Sequence, residues 1–141
     1  MIHYDKVFKI YADNSVALSD VTLSIEPGEF VSVVGQSGAG KTTLLKMLLV
    51  EEEPTTGTVF FESVDIHELH YKHIPSFRRR IGIVFQDFRL LPHKTAYENI
   101  AFAMEVAGRT DEEIASDVPK VLELVDLGNK MWNFPRELSG G

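Results

Sequence analysis

The chain has 141 residues, no cysteine, and a formal net charge of −7 from 14 basic and 21 acidic residues. This length suits one globular domain, the acidic balance disfavours a nucleic-acid partner, and the lack of cysteine excludes disulfide and thiolate chemistry. No apolar run approaches the ~18 residues of a membrane span, and residues 1–5 do not resemble a signal peptide. We therefore expect any membrane role to depend on a partner.

Two strands are predicted near the start of the chain. Segments Val7–Tyr11 and Ala17–Glu26 alternate apolar and polar residues, which is typical of a half-exposed antiparallel sheet. The turn-forming residues Pro27–Glu29 follow. The ring of Tyr11 could stack on a purine base, but the preference of aromatic residues for strands explains it equally well. The pattern alone leaves both roles open.

A glycine-rich segment with the spacing G-x-x-x-x-G-K-T follows at residues 35–42. The apolar run Phe30–Val34 predicts a buried strand before it, and Lys41–Val50 predicts a helix after it. Such a loop wraps backbone N–H groups around phosphate oxygens, and the positive end of the helix dipole faces the anion. Lys41 is expected to bridge the β- and γ-phosphates, and the Thr42 hydroxyl to ligate Mg²⁺. The expected nucleotide-binding residues of this segment are Gly35, Gln36, Ser37, Gly38, Ala39, Gly40, Lys41, Thr42 and Thr43.

The middle of the chain offers a weaker set of signals. Thr58–Phe61 predicts another strand. His67, His70 and His73 recur every third residue, but on a helix this spacing drifts by about 60° per step, so the imidazoles do not converge on one metal ion. The basic run Arg78–Arg80 could be a phosphate patch, although we favour a solvated face.

The apolar segment Ile81–Phe85 predicts a second buried strand, which Gln86 and Asp87 follow. An acid at the end of such a strand is typical of the magnesium-holding position of nucleotide hydrolases, with Asp87 as the acid. Gln86 comes first, however, and its amide oxygen could contact Mg²⁺ or position a water molecule. Both residues remain candidates on the pattern alone.

Two helices are predicted in the last third of the chain. Thr95 and Thr110 each begin a capping box, in which a hydroxyl and a carboxylate three residues later cap the helix start. Gly108 and Gly128 are expected to end the two helices. Pro119 predicts either a kink or a break in the second.

Three of these segments form an ordered set. The loop at residues 35–42, the segment 81–87 and the terminal Leu138–Gly141 resemble the motifs of the nucleotide-binding subunits of ABC transporter-type ATPases. The resemblance implies an α/β phosphate-loop NTPase core with an N-terminal antiparallel β subdomain and a helical subdomain. The expected division is residues 1–91 for the β subdomain and core, 92–137 for the helical subdomain, and 138–141 for the start of the signature motif.

The resemblance also implies roles for single residues. Tyr11 corresponds to the aromatic residue that stacks on adenine, and Gln86 to a glutamine that senses the γ-phosphate, so that Lys41 and Gln86 are the expected catalytic residues and ATP and Mg²⁺ the cofactors. The signature residues Ser139, Gly140 and Gly141 correspond to groups that grip the nucleotide of the opposite subunit. The implied assembly is a homodimer formed through the nucleotide sites.

Within this family, segments 85–92 and 95–100 look most like the subunits that act in bacterial cell division. The implied partner is an integral membrane permease, and the implied location is the cytoplasmic face of the membrane. Subunits of lipoprotein-release and macrolide-export transporters share most of these motifs and are the alternative.

The sequence ends at Gly141, before the family's Asp-Glu strand and its switch histidine. We expect a fragment of a longer protein, which binds ATP but hydrolyses it poorly or not at all. Two other classes fit the phosphate loop. A phosphate-loop kinase would need an arginine-bearing lid, for which Arg78–Arg80 is the only candidate, and a non-catalytic, nucleotide-dependent binding module would need no further residues.

Overall fold

The computed structural model describes residues 1–139, which form two compact units. The first unit comprises Met1–Ile81, and the second begins at Gly82. The expected subdomain boundary between residues 91 and 92 stays a prediction.

The first unit contains a four-stranded antiparallel sheet in the order β2-β1-β3-β4. The central strand β1 pairs with β2 on one side and β3 on the other, so Tyr4 lies between Leu23 and Val59. The bounds are Ile2–Ile10 for β1, Val16–Ile25 for β2, Thr56–Phe61 for β3 and Val64–Asp65 for β4. The antiparallel strands predicted from alternation are confirmed.

One face of this sheet packs against helix α1 (Lys41–Leu48). Val7, Val59 and Met47 are fully buried there, and burying a side chain of this size contributes about 1.5–3 kcal/mol. The Tyr4 hydroxyl donates a hydrogen bond of 2.9 Å to the Leu44 carbonyl of α1. Burial raises the pKa of this hydroxyl, so it remains a donor. The sheet therefore fixes the position of α1.

A second contact fixes the other end of α1. Helix α2 (Ile74–Arg78) follows a 3₁₀ turn at Tyr71–His73. From α2, Arg78 donates through Nε to the Leu49 carbonyl at 2.7 Å and through Nη2 to the Val50 carbonyl at 3.0 Å. The last carbonyls of a helix have no partner within it, and a guanidinium group satisfies two of them at once.

The basic run is exposed to water, as predicted, but two of its members also make specific contacts. Arg78 caps α1, and Arg80 pairs with Glu62 and lies over the Phe61 ring at 4.9 Å from its centroid. A run of like charges shows no helical or strand pattern that would indicate these partners.

The two strands predicted to be buried do not form within residues 1–139. Segment 30–34 has no sheet partner, and Phe30 and Val34 are 94% and 85% exposed. Segment 81–85 is likewise extended without pairing, and Val84 is 92% exposed. An apolar run favours an extended backbone, but a strand also needs a neighbour to accept its hydrogen bonds. Both predictions of a strand are wrong for the residues described.

The second unit contains two longer helices, α3 (Ala96–Val106) and α4 (Asp111–Leu124), followed by 3₁₀ turns at Gly128–Lys130 and Pro135–Glu137. Both predicted capping boxes are confirmed, with Thr95 and Thr110 as the N-caps. Pro119 lies inside α4 and does not break it.

The core of this unit lies between α3 and α4. Ile114, Val118 and Leu122 recur at the helical period on α4 and are buried with Ala96 and Ala101 of α3. Within residues 1–139, no helix has the length and apolar character needed to cross a membrane.

Candidate functional site

The loop at residues 35–40 turns sharply into α1 through two glycines with left-handed backbone angles. Gly38 and Gly40 both have a φ of 82°. A Cβ atom on Gly40 would lie 2.2 Å from the Ala17 carbonyl oxygen and 2.8 Å from Leu18 Cδ2. Gly40 is therefore required both by its conformation and by the close approach of β2.

The side chain of Lys41 folds back against this loop. Its ammonium group donates to the carbonyl oxygens of Gly35 at 2.8 Å and Gln36 at 2.7 Å. These contacts place one positive charge beside the main chain of the loop, and the role of Lys41 toward the phosphates stays a prediction.

The N-terminus of α1 lies next to that charge. Its N-cap is Gly40, no side chain among the described residues caps it, and the first turn carries no acidic residue. Its first N–H groups and dipole therefore favour an anionic ligand. The exposed Thr42 also lies in this turn, and its role as a Mg²⁺ ligand stays a prediction.

Tyr11 lies beside the same turn. Its hydroxyl oxygen is 3.1 Å from Thr43 Oγ1, and Thr43 is only 8% exposed. On the ring, the Lys9 ammonium lies 5.1 Å from the centroid. Lys9 is held in turn by the Glu52 carboxylate and the Glu53 carbonyl, each at 2.8 Å. Tyr11 is thus close to the phosphate loop, and its stacking on adenine stays a prediction.

Sequence reasoning did not include Lys9 and Arg78 among the residues of this site. Lys9 precedes Tyr11 by two residues, and the period of a strand places such pairs on one face, so the sequence contained a signal for it. Arg78 contacts backbone carbonyls 28 and 29 residues earlier in the chain. No side-chain pattern indicates a backbone partner at that distance.

Gln86 lies in an exposed turn at the start of the second unit. The two residues after Asp87, Phe88 and Arg89, have φ values of 55° and 46°, which non-glycine residues rarely adopt. The Arg89 guanidinium lies 3.8 Å from the Phe85 ring centroid and 3.8 Å from the Asp87 carboxylate. This segment is therefore held in a strained backbone conformation, as is common at ligand-binding and switch regions.

A cavity of about 480 Å³ lies in the second unit, bordered by both ends of that unit's described chain. Ser139 of the predicted signature motif lies on its wall together with residues that follow Gln86. The remaining signature residues, Gly140 and Gly141, lie outside the described residues. The lining residues are Asp87, Phe88, Leu90, Leu127, Pro135, Leu138 and Ser139.

The three regularly spaced histidines have different environments. Both ring nitrogens of His67 are buried, and burial lowers the pKa of His67. The His70 ring packs on Tyr71 at 4.5 Å between centroids. Across residues 1–139, no group of three histidine or carboxylate side chains is arranged to hold a metal ion.

The loop, its lysine and the uncapped helix define the class of this chain as a phosphate-loop nucleotide-binding protein. The sequence matches the family described as ABC transporter over residues 18–141. The chain therefore belongs to the ABC transporter family, and the resemblance drawn from the three motifs is confirmed.

The chain is also similar to named proteins. It is 48% identical over 141 residues to the cell division ATP-binding protein FtsE of Bacillus subtilis (strain 168), covering 100% of this chain and 62% of that protein. It is 46% identical over 142 residues to FtsE of Mycobacterium tuberculosis, again covering 100% and 62%. FtsE of Escherichia coli (strain K12) is 41% identical over 141 residues, with 100% and 64% covered. The chain thus spans less than two thirds of the length of these relatives.

Two solved structures of the ATP-binding cassette MJ0796 resemble this fold. A dimeric post-hydrolysis state bound to ADP and Pi has a TM-score of 0.87 and 32% identity, and a second dimeric structure has a TM-score of 0.88 and 34% identity. Each comparison covers 99% of this chain and 64% of the other. The predicted fold class, an ABC-type phosphate-loop core with a β subdomain and helical segments, is confirmed.

Proposed function

We propose that this chain carries the ATP-binding part of an FtsE-like ABC ATPase subunit that acts in bacterial cell division. The observation that carries the proposal is the junction of the phosphate loop with α1, where the Lys41 ammonium lies 2.8 Å from the Gly35 carbonyl oxygen beside an uncapped helix N-terminus. Identities of 41–48% to proteins named FtsE over the whole chain support the cell-division assignment.

The chain's residues fit MgATP at this junction. The loop amides and the end of α1 would accept the phosphates, and Lys41 would neutralise charge that develops on the β- and γ-phosphates. The Thr42 hydroxyl would ligate Mg²⁺, and Tyr11 would contact the adenine. Bound MgATP supplies the phosphoryl group that is transferred to water in the complete protein.

Gln86 and the signature motif would complete the site in a homodimer. We propose that the Gln86 amide oxygen orients water or contacts Mg²⁺ near the γ-phosphate, and that Ser139, Gly140 and Gly141 bind the nucleotide held by the partner subunit. The dimeric form of the similar MJ0796 cassette supports this arrangement.

The membrane partner in this proposal is an FtsX-like integral membrane permease, which would hold the protein at the cytoplasmic face of the membrane. Copurification of the whole protein with such a permease tests this part. We expect a detergent-stable complex, and separate elution of the two proteins with and without MgATP would contradict the assignment.

Titration calorimetry with MgATP tests the nucleotide site itself. We expect Lys41→Ala to weaken binding by about 10- to 100-fold, because hydrogen bonds from a charged group are worth ~1.5–3 kcal/mol. Lys46→Ala is the matched control, because Lys46 lies in the last turn of the same helix. If Lys41→Ala binds MgATP like the parent chain, the role given to Lys41 is wrong.

The products of the complete protein distinguish hydrolysis from a kinase reaction. Both begin with phosphoryl transfer, but an ATPase releases free phosphate whereas a kinase produces a phosphorylated acceptor. We expect free phosphate alone, and a phosphorylated metabolite would contradict the proposed class of enzyme.

A further inference from the structure

The hydrogen bond between Tyr11 and Thr43 links two parts of the site that sequence reasoning treats separately. Thr43 is the third residue of α1, so it belongs to the helix turn at which we place the phosphate site. Tyr11 follows β1 and is expected to contact the base. Their hydroxyl oxygens are 3.1 Å apart, and Thr43 is almost completely buried.

Other contacts hold Tyr11 in place independently of this bond. Its N–H donates to the Ser15 carbonyl at 2.9 Å, and its carbonyl accepts from the Asn14 N–H at 2.9 Å. The Lys9 ammonium lies over the ring and is itself fixed by Glu52. The phenol hydroxyl is therefore presented to Thr43 by a rigid turn.

We propose that the Tyr11 hydroxyl is a positioning group for the phosphate end of the nucleotide, acting through Thr43. The proposal rests on the proposed function, because it takes Thr43 to contact a phosphate oxygen. It adds to the expected stacking of the Tyr11 ring a separate role for the hydroxyl.

The chemistry of the two hydroxyl groups sets the direction of the bond. A hydroxyl group has one hydrogen to donate and two lone pairs to accept, whereas an ionised phosphate oxygen only accepts. When Thr43 donates its hydrogen to phosphate, its oxygen can only accept from Tyr11. The two bonds then point the same way, and each polarises the other, which strengthens both.

Binding of two ligands to four proteins separates this role from stacking. The proteins are the parent chain, Tyr11→Phe, Thr43→Val and the double variant, and the ligands are MgATP and magnesium tripolyphosphate, which has no base. Tyr11→Phe keeps the aromatic ring and removes only the hydroxyl. We expect this substitution to lower the affinity for both ligands by a similar factor of about 3–10, which is the effect of losing one hydrogen bond.

The double variant tests whether the effect passes through Thr43. In the Thr43→Val protein, we expect Tyr11→Phe to cause no further loss of tripolyphosphate affinity. In the Thr43→Ser protein, which retains the hydroxyl, we expect Tyr11→Phe to cause the same loss as in the parent chain. Tyr71→Phe, at a tyrosine that is 69% exposed, is the control and should change neither affinity.

Three results would overturn the inference. Tyr11→Phe could leave both affinities unchanged, weaken MgATP alone, or have its full effect in the presence of Thr43→Val. Failure of the proposed function gives a different result, in which the parent chain itself binds neither ligand.

Discussion

The antiparallel sheet and the phosphate loop belong to the same unit but differ in their exposure to water. Val7 and Val59 of the sheet are fully buried, whereas residues 31–39, which lead into and form most of the loop, are all exposed. Burial of apolar area stabilises the sheet. The loop needs exposed backbone groups to bind an anion. Stability and binding are therefore expected to depend on different residues, except where the two regions touch.

Gly40 is the point of contact and should give the largest effect when changed. In Gly40→Ala, a Cβ would meet the Ala17 carbonyl oxygen of β2 at 2.2 Å in a left-handed conformation. We expect the sheet to lose about 2–4 kcal/mol of stability from strain and overpacking, and MgATP affinity to fall in the same variant. Hydrogen exchange of the β2 amides and calorimetric titration measure the two losses.

Gly38→Ala is the matched control for this prediction. Gly38 has the same φ of 82°, but a Cβ there meets nothing within 4 Å. We expect only the ~1–2 kcal/mol cost of the left-handed conformation. If the two variants are equally stable, the close approach of β2 does not constrain the loop.

Val59→Ala addresses the sheet alone. It removes two methyl groups from a fully buried position of β3, and we expect a loss of about 1–3 kcal/mol with little change in the affinity of the folded protein for MgATP. Val64→Ala on β4, at a residue that is 51% exposed, should change stability by less than about 0.5 kcal/mol. Hydrogen exchange of the β1 amides measures the stability of the first unit, whereas the fluorescence of the single tryptophan, Trp132, measures that of the second. A large loss of MgATP affinity in Val59→Ala would contradict the separation of the two roles.

The smallest expected effect is a pH dependence at His67. Burial is the largest influence on the pKa of His67 and lowers it, and the charge of Lys9 lowers it further. The negative charges of Asp65 and Glu53 and the Met47 carbonyl raise the pKa, but by less. The unfolded chain therefore binds the proton more tightly than the folded one. The contribution of neutral His67 to stability is complete above the pKa of histidine in the unfolded chain, about 6.5. This contribution is lost as the pH falls below that pKa.

Denaturation of the first unit at pH 7.5 and pH 5.5 measures this contribution. The parent chain should lose more stability on acidification than His67→Gln, which cannot take up the proton. His93→Gln, at an exposed residue of the second unit, should behave like the parent. Equal losses in the parent chain and His67→Gln would rule out His67 as a source of the pH dependence.

The elements that the sequence predicted correctly are those whose determinants are local. The alternation in Ala17–Glu26, the capping boxes at Thr95 and Thr110 and the loop spacing at residues 35–42 each specify a structure from neighbouring residues. Phe30–Val34 lacks such a determinant, because its pairing depends on residues distant in the chain. The same limit applies to the capping of α1 by Arg78 and to the contact of Tyr11 with Thr43.

Hydrogen bonds from two other elements hold helix α1 in its middle and at its C-terminal end. The Tyr4 phenol binds the Leu44 carbonyl, and the Arg78 guanidinium binds those of Leu49 and Val50. Rotation or sliding of the helix would break all three attachments. Among the described residues at this junction, we therefore expect adjustment to an incoming ligand in the glycine-rich segment before Lys41 rather than in the helix.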